Sequence, residues 1–111
     1  MKLLVLVLNK TECLEDILER MGEQGLKGAT ILESKGMAHS LSEFSELKFM
    51  ASLRMILDPD HQESKTIFMV LEEDKVKTVS EIVNEATGGL GNPDTGIMFT
   101  LPVDYTEGIL K

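Results

Sequence analysis

The chain has 111 residues, and 19 acidic against 11 basic side chains give it a formal net charge of −8 at neutral pH. Its hydrophobic fraction of 42% is that of a globular protein, which argues against a disordered or membrane-spanning chain and predicts a single domain over residues 1–111. The acidic balance argues against nucleic acid as a partner, because phosphate binding needs a surplus of Lys and Arg.

The first predicted element is a strand. A short Leu/Val run within Met1 to Leu8 ends at Asn9, which is typical of a strand covered on both faces. The run has neither the cleavage site of a secretory leader nor the length of a membrane span. The lone Cys13 argues against a disulfide framework and fits a reducing compartment. We therefore expect a cytoplasmic protein without direct membrane insertion.

A helix and a second strand are predicted next. Apolar residues recur at three- and four-residue intervals, which is the pattern of one helix face: Cys13, Leu14, Ile17, Leu18 and Met21. Thr11 is the expected N-cap, and Gly22 and Gly25 mark the end of the helix. The second strand is expected within Leu26–Ser34, before Gly36.

Residues 37–64 form a long insert whose secondary structure the pattern leaves open. Apolar residues occupy the odd positions from Leu47 to Leu57, which is typical of a strand. The same region carries a stripe at helical spacing: Phe44, Leu47, Ala51 and Met55. Both readings stay open for residues 42–57. So apolar an insert must be buried against its own oligomer or against a partner.

The second half of the chain predicts a strand, a helix and a strand. The strands are Lys65–Leu71 and Ile97–Leu101. The helix is expected to be capped by Asp74 and to have one apolar face: Val76, Val79, Ile82, Val83 and Ala86. The glycine-rich segment Gly88–Pro93 would end this helix and form an exposed loop.

The order of elements predicts an α+β fold. It reads β-α-β, an insert, then β-α-β, which is the split βαβ-βαβ or ferredoxin-like sandwich, with two helices on one face of a four-stranded antiparallel sheet. The other face of the sheet would then need cover, and oligomerisation is the usual way to provide it.

No catalytic or metal-binding constellation is evident in the sequence. His39 and His61 lie in the insert near acidic residues, but their spacing is not that of zinc ligands, so we interpret them as surface histidines. Cys13 belongs to a helix stripe, which favours a core position. We predict no catalytic residue, no metal ligand and no enzymatic activity.

An ordered set of short segments resembles the P-II nitrogen-regulatory signalling proteins over most of the chain. The matching segments are Met1-Lys2-Leu3, Leu14–Leu18, Gly25-Leu26, Thr30–Gly36, Glu73-Asp74, Val79–Ala86, Thr87-Gly88 and Gly96–Phe99. The resemblance implies a homotrimer of ferredoxin-like subunits. It also implies that the insert at residues 37–64 docks on a target protein, either a transporter or an enzyme.

The resemblance further implies an adenine nucleotide as effector, bound in clefts between subunits. The positions that it marks as ligand-binding are Thr30, Gly36, Met37, Ala38, Thr87, Gly88, Gly89, Gly91 and Asn92. Backbone N–H groups of a glycine loop can cradle phosphate oxygens. The same glycines also fit a helix C-cap followed by a turn, so both interpretations stay open.

The chain departs from the family pattern where the family carries basic residues. Ile97 follows Gly96 where the family has Lys, and Gly108-Ile109-Leu110 stands where the family has a basic pair. These departures disfavour polyphosphate nucleotides and favour AMP, a cyclic nucleotide or a ligand without phosphate. The alternative is a metal-handling or structural trimer resembling the divalent-cation tolerance proteins, in which His39 and His61 would matter.

Overall fold

The computed structural model describes residues 1–37 and 63–109. The strands are β1 (Lys2–Leu8), β2 (Thr30–Ser34), β3 (Ser64–Leu71) and β4 (Gly96–Pro102), and the helices are α1 (Leu14–Glu23) and α2 (Val76–Thr87). A 3₁₀ turn leads into each helix, over Thr11–Cys13 and Glu73–Lys75. The predicted strands and helices are confirmed in type and order. The helix-or-strand question at residues 42–57 lies outside the described residues.

The four strands form one antiparallel sheet in the order β2-β3-β1-β4. Two registers fix its centre: Leu6 lies opposite Ile67 on β3 and opposite Met98 on β4. β1 and β2 belong to one βαβ unit, and β3 lies between them. This is the ferredoxin-like topology, which confirms the predicted fold class.

The core lies between the helices and one face of the sheet. Side chains alternate across a strand, so every second residue of β1 and β3 points towards the helices. Eleven buried side chains make up this cluster: Leu4, Leu6, Leu8, Ile17, Met21, Ile67, Met69, Leu71, Val79, Ile82 and Val83. Cys13 is half-buried and packs against the cluster, so it contributes to the core as predicted.

Both predicted helix caps are wrong. Thr11 and Asp74 lie inside the 3₁₀ turns, whose N-cap positions are Lys10 and Glu72, and neither cap makes a side-chain hydrogen bond. A 3₁₀ turn before a helix moves the first helical residue beyond the polar residue that resembles a cap.

The second strand is shorter than Leu26–Ser34. The amide of Leu26 donates to the carbonyl of Met21 at 2.9 Å, after a turn in which Gly25 adopts a φ of +77°. This hydrogen bond ties Leu26 to the end of α1, and β2 begins only at Thr30.

The sheet face turned away from the helices is apolar, and we call it the open face. Its side chains alternate with those of the core: Leu3, Val5, Val7, Leu32, Phe68, Val70, Ile97, Phe99 and Leu101. Four of them, namely Leu32, Ile97, Phe99 and Leu101, are between 43% and 59% exposed. The sequence predicted that this second face of the sheet would need cover, and the residues that the structure describes leave it uncovered.

Candidate functional site

The glycine-rich segment forms a folded loop after α2, and we call residues 88–95 the glycine loop. Gly88 ends the helix with a φ of +85°, which glycine adopts at little cost. Thr87 is buried; its hydroxyl donates to the carbonyl of Val83 at 2.8 Å and accepts from the amide of Gly89 at 3.2 Å. The helix-cap interpretation of this segment therefore holds, and the loop begins from a fixed point.

Two asparagines fix the rest of the loop. The side-chain oxygen of Asn84 accepts from the amide of Leu90 at 2.8 Å. The side-chain nitrogen of Asn92 donates to the carbonyl of Gly88 at 3.0 Å, and the amide of Asn92 donates to the carbonyl of Gly89 at 3.1 Å. The amides of Gly89, Leu90 and Asn92 thus already have acceptors inside the protein, and this lowers the number of backbone donors that an anion can reach.

The segment after β1 holds both ends of the glycine loop. The ammonium of Lys10 donates to the carbonyl of Thr87 at 3.0 Å. The amides of Asn9 and Lys10 donate to the carbonyl of Thr95 at 3.0 and 3.1 Å. Lys10 therefore contacts the residue before the loop and the residue that ends it, and sequence reasoning did not find this residue.

The other predicted ligand positions lie on and beyond β2. Thr30 begins β2 on the open face, where it lies opposite Phe68. Gly36 and Met37 follow the end of β2 and are exposed, with Met37 at 78%. Ala38 lies outside the described residues.

Gly36 and Met37, which follow β2, and the glycine loop, which precedes β4, lie at one end of the sheet but at opposite edges. Glu33 pairs with Lys65, Lys65 with Leu8, and Leu8 with Gly96, so the end of β2 and the start of β4 share a row across the sheet. Three strand spacings separate them, which is about 14 Å. A single chain therefore does not bring Gly36 and the glycine loop together, whereas a neighbouring chain could contribute the second group.

A cleft that sequence reasoning missed lies at the other end of β3. It has a volume of about 970 Å³, and its lining includes Leu26, Lys27, Met69, Leu71, Lys75 and Ile109. The cleft exists because β2 begins opposite Phe68, so Met69–Leu71 has no strand on that side. The late start of β2 is the signal that would have revealed it.

Polar groups join β2 and β3 where the insert leaves the sheet. The hydroxyl of Ser34 bonds with the hydroxyl of Ser64 at 2.7 Å and with that of Thr66 at 2.8 Å. On the other face of the same two strands, the ammonium of Lys65 donates to Glu33 at 2.8 Å, and this hydrogen bond lowers the pKa of the Glu33 carboxyl. The two ends of the insert are thereby held together at its base.

The residues that the structure describes show neither a metal-binding cluster nor a helix able to span a membrane. Residues 1–37 and 63–109 contain no cluster of three or more His, Cys, Asp or Glu side chains that could hold a metal ion. His39 and His61 lie outside these ranges. Within the same ranges, no helix combines the length and apolarity that crossing a bilayer requires.

The sheet order defines a ferredoxin-like domain, one face of whose sheet is apolar and uncovered by the residues that the structure describes. A family profile described as Nitrogen regulatory protein P-II matches residues 1–110, and the chain belongs to this family. The resemblance seen in the sequence is thus confirmed. Members of the family are trimeric regulatory proteins that act on target proteins, and this chain is accordingly a nitrogen-regulatory signalling protein. A search of curated proteins gives no match.

Proposed function

We propose that this protein is a cytoplasmic trimeric sensor that binds a small adenine-containing effector between subunits. Through residues 37–64 it controls a target transporter or enzyme, and it has no catalytic residue of its own. The observation that carries the proposal is the placement of Gly36 and the glycine loop at one end of the sheet but at opposite edges. A site divided in this way within one chain is complete only when another subunit supplies the missing half.

The open face is the surface through which the subunits would assemble. Four large apolar side chains on it are roughly half exposed in the single chain. Burying the exposed half of each would stabilise an assembly by about 1 kcal/mol per side chain. So large a contiguous apolar face on a small domain is typical of an interface.

The effector that fits best carries at most one phosphate. The amides of Gly89, Leu90 and Asn92 are already bonded within the loop, and Ile97 stands where the family has Lys. Charge-assisted contacts to a polyphosphate chain would need more cations than the described residues place at this loop. AMP, a cyclic nucleotide or a nucleoside needs fewer.

The cleft beside Met69–Leu71 is a second candidate site rather than part of this one, because it lies at the opposite end of the sheet from the glycine loop. Its volume of about 970 Å³ lies in the range of small-molecule sites. Its walls are apolar at Leu26, Met69 and Leu71, and its charged lining residues are two lysines and one carboxylate: Lys27, Lys75 and Glu72. The site residues of this proposal are therefore the positions named from the sequence, and the cleft is separate from them.

Target control would follow from the position of the insert. The insert begins at Met37, directly after Gly36, and the chain is back in the sheet at Ser64, so a ligand that contacts Met37 touches the base of the insert. A ligand that prefers one conformation of the insert shifts the population towards it, and the affinity for the target changes by that difference in binding.

A thermal-shift screen combined with native mass spectrometry tests the proposal. The purified protein is melted with ATP, ADP, AMP, cyclic AMP, adenosine and a series of divalent metals. A ligand at a hundredfold excess over its Kd stabilises the folded state by about 2.7 kcal/mol, which raises the melting temperature by several degrees. We expect a trimer, and a larger response to AMP or cyclic AMP than to ATP.

The matched variants are Thr87→Val and Thr78→Val, both on α2. Thr87→Val removes the hydroxyl that accepts from the amide of Gly89, whereas Thr78→Val makes the same change about two and a half turns earlier on the helix, away from the glycine loop. The ligand response should fall in the first variant and persist in the second. A response to metals alone would favour the metal-handling alternative, and a monomeric mass would contradict the shared site.

A further inference from the structure

We infer that Lys10 contacts the anionic group of the effector at the glycine loop and takes the place of the lysine that is missing after Gly96. This inference rests on the proposed function, since it assigns a residue and a ligand chemistry to the same site. The ligand group would be a single phosphate or a carboxylate.

The ammonium of Lys10 lies at the start of the glycine loop. Its nitrogen lies 3.0 Å from the carbonyl of Thr87, the residue directly before Gly88. The backbone of Lys10 is held as well, because its amide donates to the carbonyl of Thr95 at 3.1 Å. A flexible side chain anchored in this way loses little further conformational entropy when a ligand arrives, so the cationic group is preorganised at the loop.

Lys10 also keeps N–H donors that a ligand can use. An ammonium group has three N–H donors, and the hydrogen bond to Thr87 uses one of them. Three amides of the loop, by contrast, already have internal acceptors. Lys10 therefore supplies a positive charge and N–H donors at a loop whose own backbone has few unoccupied donors.

The charge that the chain places at the loop is small. The loop itself carries one carboxylate, Asp94, which is exposed, and Lys10 brings one cation to the residue before the loop. A single cation favours a ligand with one anionic group, because the carboxylate of the loop would repel each further phosphate of a polyphosphate chain. A purely structural role for Lys10, as a cap of the α2 carboxyl end, predicts a loss of stability but no effect on ligand choice.

The test compares AMP, adenosine and inorganic phosphate on isotope-labelled protein. The amide resonances of residues 88–92 are followed by NMR during each titration. The variants are Lys10→Met, which keeps the stem without the charge, and Lys10→Gln, which is also neutral but keeps an N–H donor. Lys10→Arg keeps the charge. The control Lys77→Met removes the same charge from an exposed position on α2.

The wild type should bind AMP more tightly than adenosine, and inorganic phosphate alone should shift the loop resonances. Both neutral variants should lose this preference, with AMP binding weakened by about tenfold to a hundredfold. Adenosine binding should stay unchanged, Lys10→Arg should keep part of the preference, and Lys77→Met all of it.

Three outcomes distinguish a failure of the inference from a failure of the proposed function. If Lys10→Gln melts at a lower temperature but keeps the wild-type ratio of AMP to adenosine affinity, Lys10 is a structural clamp and the sensor proposal stands without it. If phosphate shifts the loop in the wild type but neither adenosine nor AMP binds, Lys10 keeps its role and the adenine part of the proposed function fails. If none of the three probes affects the wild-type loop, the inference fails as well.

Discussion

The side chain of Phe99 lies at the middle of β4 on the open face, opposite Val5 of β1. It is 43% exposed in the single chain, so a substitution there acts mainly on whatever covers this face. We therefore use Phe99→Glu as the perturbation that separates assembly from folding.

The magnitude follows from the exposed fraction. Complete burial of a Phe side chain is worth up to about 3 kcal/mol, so the part still exposed would contribute about 1 kcal/mol per subunit on assembly. A glutamate at this position would lose that term, and its carboxylate would have to be buried at a cost of several kcal/mol. A loss of about 3 kcal/mol or more corresponds to association at least a hundredfold weaker.

Native mass spectrometry and analytical ultracentrifugation measure the effect, and circular dichroism monitors the fold. We expect the Phe99→Glu protein to be monomeric at micromolar concentration and to keep its secondary structure. Thr100→Glu is the matched control, because the adjacent residue is exposed on the same strand but belongs to the opposite face. If Phe99→Glu remains a trimer with the wild-type melting temperature, the open face is not the interface.

Two further predictions concern stability. Gly96→Ala should lower the free energy of unfolding, measured in urea titrations, by about 3 kcal/mol or more, because Gly96 has a φ of +154° and an added Cβ would lie 2.6 Å from the carbonyl of Val7. The control Gly91→Ala has open space around it and should change this free energy by no more than about 0.5 kcal/mol. Equal losses in the two variants would contradict this reasoning. Glu33→Gln should make stability depend less on pH in the acid range. The pKa of Glu33 is lowered in the folded state, so its carboxylate stabilises the fold at pH values above its ordinary pKa of 4.5, and this stabilisation disappears as the pH falls through the folded-state pKa. The Lys65 contact would be unimportant if acid unfolding followed the same curve in both proteins.

Local periodicity was sufficient to predict which faces of the elements are buried. Alternation over Leu4, Leu6 and Leu8 and helical spacing over Val79 and Val83 have direct physical causes, since each element must bury one face and the backbone sets the period. The turn at Gly88 was predictable for the same reason, because a left-handed residue after a helix is a local requirement.

The residues at which the helices and strands begin were harder to predict from the sequence. Thr11 and Asp74 each fit a helix cap by residue type, yet each lies in a 3₁₀ turn. β2 begins at Thr30 because the chain after Gly25 first bonds back to the end of α1, and that bond depends on the whole turn rather than on strand propensity. The cleft beside Met69–Leu71 exists because β2 begins at Thr30, so the sequence did not predict it either.

The acidic composition and the alternating apolar residues of the strands can be read directly from the sequence. They were sufficient to predict the fold class, the family resemblance and the small number of cations that could bind a polyphosphate chain. Only the tertiary structure decided where the remaining cations lie. Lys10 and Thr87 are 77 positions apart, and they meet because β1 and α2 pack on one core. The same packing sets Gly36 and the glycine loop at opposite edges of the sheet. Contacts between distant segments depend on how the elements pack, and no local pattern in a chain records that geometry.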